Sequence, residues 1–205
     1  TGWDVPAGVL HAPASVCTYE PQAASDVLCM CESWSNNREV PNELLWKDVP
    51  HDRIGDLEYV LDLLDWELNT DPDFVRSRQL IPFETSTSLA EGRGRFVESW
   101  IVHKSPTFSA TELTVAPGQT VTVQDGGAYG VIVVQGHGSI GPHAAEATTM
   151  VRFGAPTQDE FFVSEAAAGA GVRIHNASET STLVLLKNFG PGNPALAADL
   201  AAIAG

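Results

Sequence analysis

Tyr129-Gly130-Val131-Ile132-Val133-Val134-Gln135-Gly136-His137-Gly138 is the stretch that decides the fold class. Tyr, Val and Ile are strand formers, and glycines at 136 and 138 stop the run with a turn. Runs of the same kind lie on both sides: Phe96 to Val102, Thr107 to Val115, Val121 to Gln124, Thr148 to Phe153, Glu160 to Val163, Val172 to Ile174 and Thr182 to Lys187. Turns such as Pro117-Gly118 and Gly126-Gly127 separate them. Many short strands at this spacing predict a sandwich, jelly roll or barrel. The Ala/Leu-rich tail from Pro194 to Ala202 predicts a closing helix with Pro near its first position.

Upstream of residue 96 the period changes. Leu57, Val60, Leu61, Leu64 and Leu68 fall at helical spacing with acidic residues between them, which predicts one helix over about 52–68 with Asp52 as its cap. Pro41 to Lys47 predicts a short helix capped by Asn42. Residues 82–95, rich in Ser, Thr and Gly, read as a linker or long loop. Residues 1–34 read as strands and tight turns.

The chain has 205 residues, 43% of them hydrophobic, which is enough for a core. Its formal net charge of −15 argues against nucleic acid and anionic membranes as partners. No apolar run reaches the roughly 18 residues of a membrane span, and no signal peptide opens the chain. Cys17, Cys29 and Cys31 are expected to be buried free thiols in a reducing cytoplasm. The chain opens at Thr1-Gly2 without Met, so a fragment, a processed chain or an incomplete reading frame is expected. Asn176-Ala177-Ser178 matches the glycosylation triplet, which chance readily produces.

The first residues carry the chemistry. Pro6-Ala7-Gly8-Val9-Leu10-His11 is followed by Glu20-Pro21-Gln22 and Ser25-Asp26. If Val9 to Ala12 and Val16 to Glu20 form a hairpin turning at Ala14-Ser15, His11 and Glu20 share a sheet face as diagonal neighbours about 7–8 Å apart. An odd-length turn puts them on opposite faces. An imidazole and a carboxylate on one face are a metal ligand and a base. A hydrogen-bonded core or surface His is the competing reading of His11.

A Pro-x-Gly-x-x-His run resembles the second metal motif of a cupin barrel. Residues 4–26 in particular resemble the stretch of type I mannose-6-phosphate isomerases that reads Val-Pro-Ala-Gly-x-x-His-Ala, then Glu-Ile-Gln-Gln-x-Ser-Asp. The resemblance implies that His11 ligates zinc or another divalent ion, that Glu20 is the catalytic carboxylate, and that Gln22 and Asp26 bind substrate. It also implies a helical segment followed by a second cupin, with the remaining metal ligands outside this stretch of chain. The family continues with Thr-Tyr-Arg, and its Arg faces the substrate. Leu28-Cys29-Met30 stands here instead, and residues 1–37 contain no Lys or Arg, so a neutral sugar, or no catalysis, fits better than a phosphorylated sugar.

The expected fold is therefore mainly β, with two cupin (jelly-roll) domains and a helical connector, the first barrel being incomplete. Residues 1–40 form the end of a metal-type barrel, 41–95 the connector and linker, 96–190 a second cupin without a metal site, and 191–205 a helical tail. The missing strands are expected from an upstream segment, a second chain or a swapped copy. The expected function is a metal-dependent aldose–ketose isomerase acting on a sugar or sugar phosphate in cytoplasmic carbohydrate metabolism. A non-catalytic bicupin that binds sugar or serves as a scaffold is the alternative, and another cupin metalloenzyme, such as an oxygenase, is a third. His137 and His143 with Glu146 form a possible small metal cluster, against the simpler reading of surface histidines. His51, His103 and His175 stand alone. Trp34, Trp46, Trp66 and Trp100 are expected in packing.

Overall fold

A computed structural model of the chain describes residues 2–12, 17–23, 29–147 and 153–204. The chain divides into two compact units, residues 5–79 and residues 80–205, the latter joined by residues 1–4.

Among the described residues, ten strands form the two main sheets of the larger unit. They are β1 (Phe83–Glu84), β2 (Phe96–Val102), β3 (Ser109–Val115), β4 (Thr120–Val123), β5 (Tyr129–Gln135), β6 (His137–Ile140), β7 (His143–Glu146), β8 (Glu160–Val163), β9 (Val172–Asn176) and β10 (Leu183–Phe189). One sheet has the order β8-β5-β10-β3-β2-β1 and the other β7-β6-β9-β4, with antiparallel pairing throughout. The pairs nest. β3 takes β10, β4 takes β9, β5 takes β8 and β6 takes β7. Eight strands paired first-to-last in two sheets make a jelly roll, and β2 and β1 extend one of its sheets.

Alternation fills the interior. Phe96 and Trp100 of β2, Leu113 and Val115 of β3, Tyr129, Val131 and Val133 of β5, and Leu183, Leu185 and Phe189 of β10 are all buried in one apolar cluster. Val121, Val123, Ile140, Val172 and Ile174 meet them from the other sheet. Side chains two apart share a face, so each strand commits one parity to the core. At Gly136 the chain passes from one sheet to the other with φ +86°, and a Cβ there would stand 2.6 Å from Thr182 O. Asn176, fully buried, closes the end of β9: its Nδ2 donates to Val115 O, Ala116 O and Ser181 O, and its Oδ1 accepts from Ser178 N. The glycosylation triplet is thus a structural staple.

Several expectations are corrected. Residues 82–95 are not a bare linker. Thr85 caps a helix over Ser86–Glu91 by accepting from Ser88 N, and Ser88 Oγ donates to Glu84 and accepts from Glu98 N. The Ser/Thr richness that reads as loop is here capping chemistry. A helix over Glu165–Ala170, capped by Ser164, and strands β6 and β7 were not foreseen. The tail helix runs Pro194–Ala204, with Asn193 Oδ1 accepting from Ala195 N. Of the strand expected from Thr148 to Phe153, residues 148–152 lie outside the described residues, and Phe153 sits in a turn.

In the smaller unit the single helix over 52–68 is two, Leu57–Asp62 and Trp66–Asn69, each begun by an aspartate that accepts a backbone N–H: Asp56 from Tyr59, Asp65 from Leu68. A second capping residue in mid-run ends one helix and starts another. Asp52, the expected cap, lies in a 3-10 turn, and Asn42 begins a 3-10 turn after Pro41 with no side-chain cap. The hairpin expected near the N-terminus is not formed among the described residues: residues 9–12 and 17–20 carry no strand. Its turn, and Val16, lie outside the described residues. Trp100 is buried as expected, whereas Trp34 and Trp66 are 64% and 52% exposed. The cysteines are free, but Cys17 and Cys31 are exposed and Cys29 is half-buried.

Candidate functional site

The segment that begins at Val5 is held by the residues that break the helix. Pro6-Ala7-Gly8 forms a turn in which Val9 N donates to Pro6 O. Gly8 has φ +78°, and a Cβ there would lie 2.8 Å from Asp65 N and 2.9 Å from Leu63 O, so only glycine fits. Gly8 O accepts from Asp65 N at 2.9 Å and from Asn69 Nδ2 at 2.7 Å, while Leu10 N donates to Asn69 Oδ1 at 2.9 Å. One amide side chain thus fixes both edges of the turn. Asn69 reads in the sequence only as a helix end; its position opposite Gly8 needs the tertiary structure.

His11 follows this pinned turn. Its side chain is exposed, and Nδ1 donates to Val9 O at 3.0 Å. That bond occupies Nδ1 and leaves Nε2 with no partner among the described residues. Glu20 and Gln22 are exposed, and Asp26 lies outside the described residues. Tyr19, between His11 and Glu20 in sequence, is half-buried, and burial pushes its phenol up to about 12. Among the described residues no three His, Cys, Asp or Glu side chains gather as a metal site.

A second polar constellation lies inside the jelly roll, and sequence reasoning missed it. Lys187, on the inward parity of β10, is wholly buried, and its Nζ donates to Glu98 Oε1 and to Asp125 Oδ1, both at 2.8 Å. Thr111 Oγ1 donates to Glu98 Oε1 at 2.6 Å. The ammonium also lies 4.9 Å from the Tyr129 ring centroid and 5.3 Å from that of Phe189. Burial, opposed by the Lys187 ammonium, raises the Asp125 carboxyl above the usual carboxylate range. Burial, then the carboxylates of Asp125 and Glu98, push the Tyr129 phenol up. Tyr129 Oη and Asp125 Oδ2 are enclosed without a hydrogen-bond partner of normal geometry. Asp125 borders a shallow depression of about 510 Å³ lined also by Gly126, Glu165, Ala166 and Gly169. With no exposed surface and two of its three protons donated to carboxylates, Lys187 acts as an internal counter-ion rather than a nucleophile.

The histidines of this unit have separate settings. His137 and His143 are exposed on strands rather than in a loop, with His137 opposite Glu146 and His143 opposite Ile140. His175 Nδ1 bonds Thr120 Oγ1 at 2.9 Å. His103 Nε2 donates to Ile81 O, and burial lowers its pKa.

No family model matches the sequence, and no curated protein matches it. Solved structures similar to the chain include the polyketide cyclase RemF from Streptomyces resistomycificus, at 12% identity over 49% of this chain and 68% of that one, with a TM-score of 0.36. An RmlC-like cupin protein from Ralstonia eutropha is 14% identical over 55% of this chain and 63% of that one, with a TM-score of 0.36. An RmlC-like cupin protein from Desulfovibrio desulfuricans is 19% identical over 47% and 84%, with a TM-score of 0.33. The structural neighbours thus include cupin domains, and an enzyme is among the similar proteins. No helix among the described residues is long and apolar enough to cross a membrane.

Proposed function

We propose that the chain is part of a metal-dependent aldose–ketose isomerase of the mannose-6-phosphate isomerase type, acting in carbohydrate metabolism. The supporting observation is the His11 geometry. Histidines that ligate metals commonly donate their second ring nitrogen to a carbonyl or carboxylate, and His11 Nδ1 donates to Val9 O beyond a turn that Asn69 locks. Nε2 is the nitrogen that would meet the ion. One imidazole is not a site, since catalytic zinc takes three protein ligands and an open position; the other ligands would come from outside this stretch of chain. A bound zinc or other divalent ion polarises the substrate carbonyl or the neighbouring hydroxyl.

The chain's own part is proton transfer and orientation. Glu20 takes the proton from the hydroxyl-bearing carbon next to the carbonyl and returns it to the former carbonyl carbon, while the hydroxyl proton passes to the former carbonyl oxygen. Gln22 and Asp26 hold sugar hydroxyls. With no Lys or Arg in residues 1–37, a neutral sugar is favoured over a phosphorylated one.

The experiment is metal analysis together with turnover. The full-length protein is expected to hold about one divalent ion per chain. In it Glu20→Gln should abolish isomerisation with metal retained. No metal in the full-length protein, or unchanged turnover in Glu20→Gln, would refute the proposal. The second reading is a non-catalytic bicupin that binds sugar or serves as a scaffold; the filled jelly-roll interior, where apolar side chains and the Lys187 cluster occupy the space a ligand would need, favours its scaffold form. Absence of turnover in the full-length protein, with or without sugar binding, would favour it.

A further inference from the structure

The tail helix Pro194–Ala204 is clamped to the jelly roll by one buried side chain. Asp199 accepts from Trp100 Nε1 at 2.8 Å, and from both the backbone N–H and the hydroxyl of Ser86. Between this helix, the loop that joins β2 to β3 and the turn after β10 lies a pocket of about 240 Å³. Pro106, Phe108, Pro191, Leu196 and Leu200 give it apolar walls, and no Lys, Arg, Asp or Glu lines it among the described residues. Ser109 lines it as well. This residue opens β3 on the core-facing parity, is 3% exposed, and has its Oγ enclosed with no hydrogen-bond partner. A buried hydroxyl left unpaired is costly, so a ligand that pairs it gains more than an ordinary exposed contact returns. Other polar groups of the lining are already committed. Asn193 Oδ1 accepts from Ala195 N, and the hydroxyls of Ser105 and Thr107 bond each other. His103 Nε2 donates to Ile81 O, and burial lowers the pKa of the ring, which leaves it neutral near pH 7.

We propose that this pocket binds a neutral, single-ring molecule bearing one hydroxyl, and that Ser109 Oγ is the partner of that hydroxyl. The size sets the class: a cavity of about 150 Å³ takes up benzene, so one substituted ring fits here and a fused system does not. Charge sets it further. An anion would meet no Lys or Arg in a chain of net charge −15, and a cation would meet no carboxylate on these walls. The hydroxyl sets the geometry. A serine side chain moves between staggered positions, so a turn about χ1 brings Oγ to a ring seated against Phe108 and Leu196. The Asp199 clamp holds the helix wall in place beforehand, which lowers the ordering cost of binding. The site is separate from His11 and does not depend on the isomerase reading.

The test titrates the protein with p-cresol and, separately, with toluene, following backbone amide shifts by NMR. Saturable shifts at Ser109, Gly190 and Leu196 are expected with p-cresol. Burial in apolar surroundings alone would favour toluene, because the cresol hydroxyl gives up its hydration. The native protein should nonetheless bind p-cresol more tightly, and Ser109→Ala should move the ratio of the two affinities toward toluene by about fivefold or more. Ala197→Trp, which fills the pocket from an exposed helix position, should abolish binding of both while far-UV circular dichroism is unchanged. Three results would overturn the proposal: no saturable shifts with p-cresol, toluene bound as tightly as p-cresol by the native protein, or a p-cresol affinity that neither substitution alters.

Discussion

Replacing Lys187 by Met isolates the energetics of the jelly-roll interior. The methionine keeps most of the aliphatic stem in contact with the core but removes the ammonium from between Glu98 and Asp125. Two carboxylates then remain with no cation between them, with Glu98 4% exposed and Lys187 at 0% in the starting structure. Breaking a buried pair by removing one partner costs about 3–5 kcal/mol. The edge position of Asp125 lets it relax toward solvent, so the lower part of that range, about 3–4 kcal/mol, is expected. At a urea slope of about 2 kcal/mol/M this lowers the midpoint by about 1.5–2 M, read by the fluorescence of Trp100 in the same core.

The pH dependence has a definite sign. Asp125 is raised in the folded state, so the folded form takes up its proton first as pH falls. Stability linked to this group is full below the unfolded carboxyl range and is lost as pH rises through the folded value. Lys187 opposes that shift, and removing it widens the window. The deficit of Lys187→Met should therefore be largest near neutrality and shrink as the carboxyl protonates. Adding Glu98→Gln and Asp125→Asn should recover most of the loss. A loss below about 1 kcal/mol that does not vary with pH would refute the reasoning, because the buried carboxylates would then be compensated without Lys187.

Two further stability predictions follow from single side chains. Asn176→Asp sets a carboxylate oxygen against Val115 O, Ala116 O and Ser181 O, which now accept from the amide; a loss of about 3 kcal/mol or more is expected in urea unfolding. Gly136→Ala adds a Cβ 2.6 Å from Thr182 O and 3.0 Å from the Leu183 Cα at positive φ, and should cost about 2–3 kcal/mol by the same measurement. A near-neutral result in either case would mean that the backbone there shifts freely.

The β-rich character of the larger unit was legible because strand periodicity is local. Phe96–Val102, Tyr129–Gln135 and Glu160–Val163 need only alternation, branched side chains and flanking turns to be read. The His137–Ile140 and His143–Glu146 strands were not legible, because glycine, serine and alanine give little strand signal and the pairing partner supplies the order. The helix Ser86–Glu91 was hidden by composition: Ser and Thr read as loop until one of them is seen accepting a backbone N–H. In the smaller unit the spacing of Leu57, Val60, Leu61 and Leu64 was helical, but Asp65 spends its backbone N–H on Gly8 and its side chain on Leu68, which splits the run.

By itself, the sequence determined which residues are strand formers, where turns fall, and that Pro6 to His11 forms a constrained approach to a histidine. These follow from backbone preferences and from side-chain types that act over a few neighbours. Only the tertiary structure decided that the Gly8 turn is locked by Asn69 from 61 residues away and that His11 Nδ1 bonds Val9 O. It also decided the nested strand pairing, and that Lys187, Glu98 and Asp125 share one buried site. The physical reason is common to all of these. Hydrogen bonds and ion pairs between distant positions depend on register and layer, which set energies that no local pattern of residue types encodes.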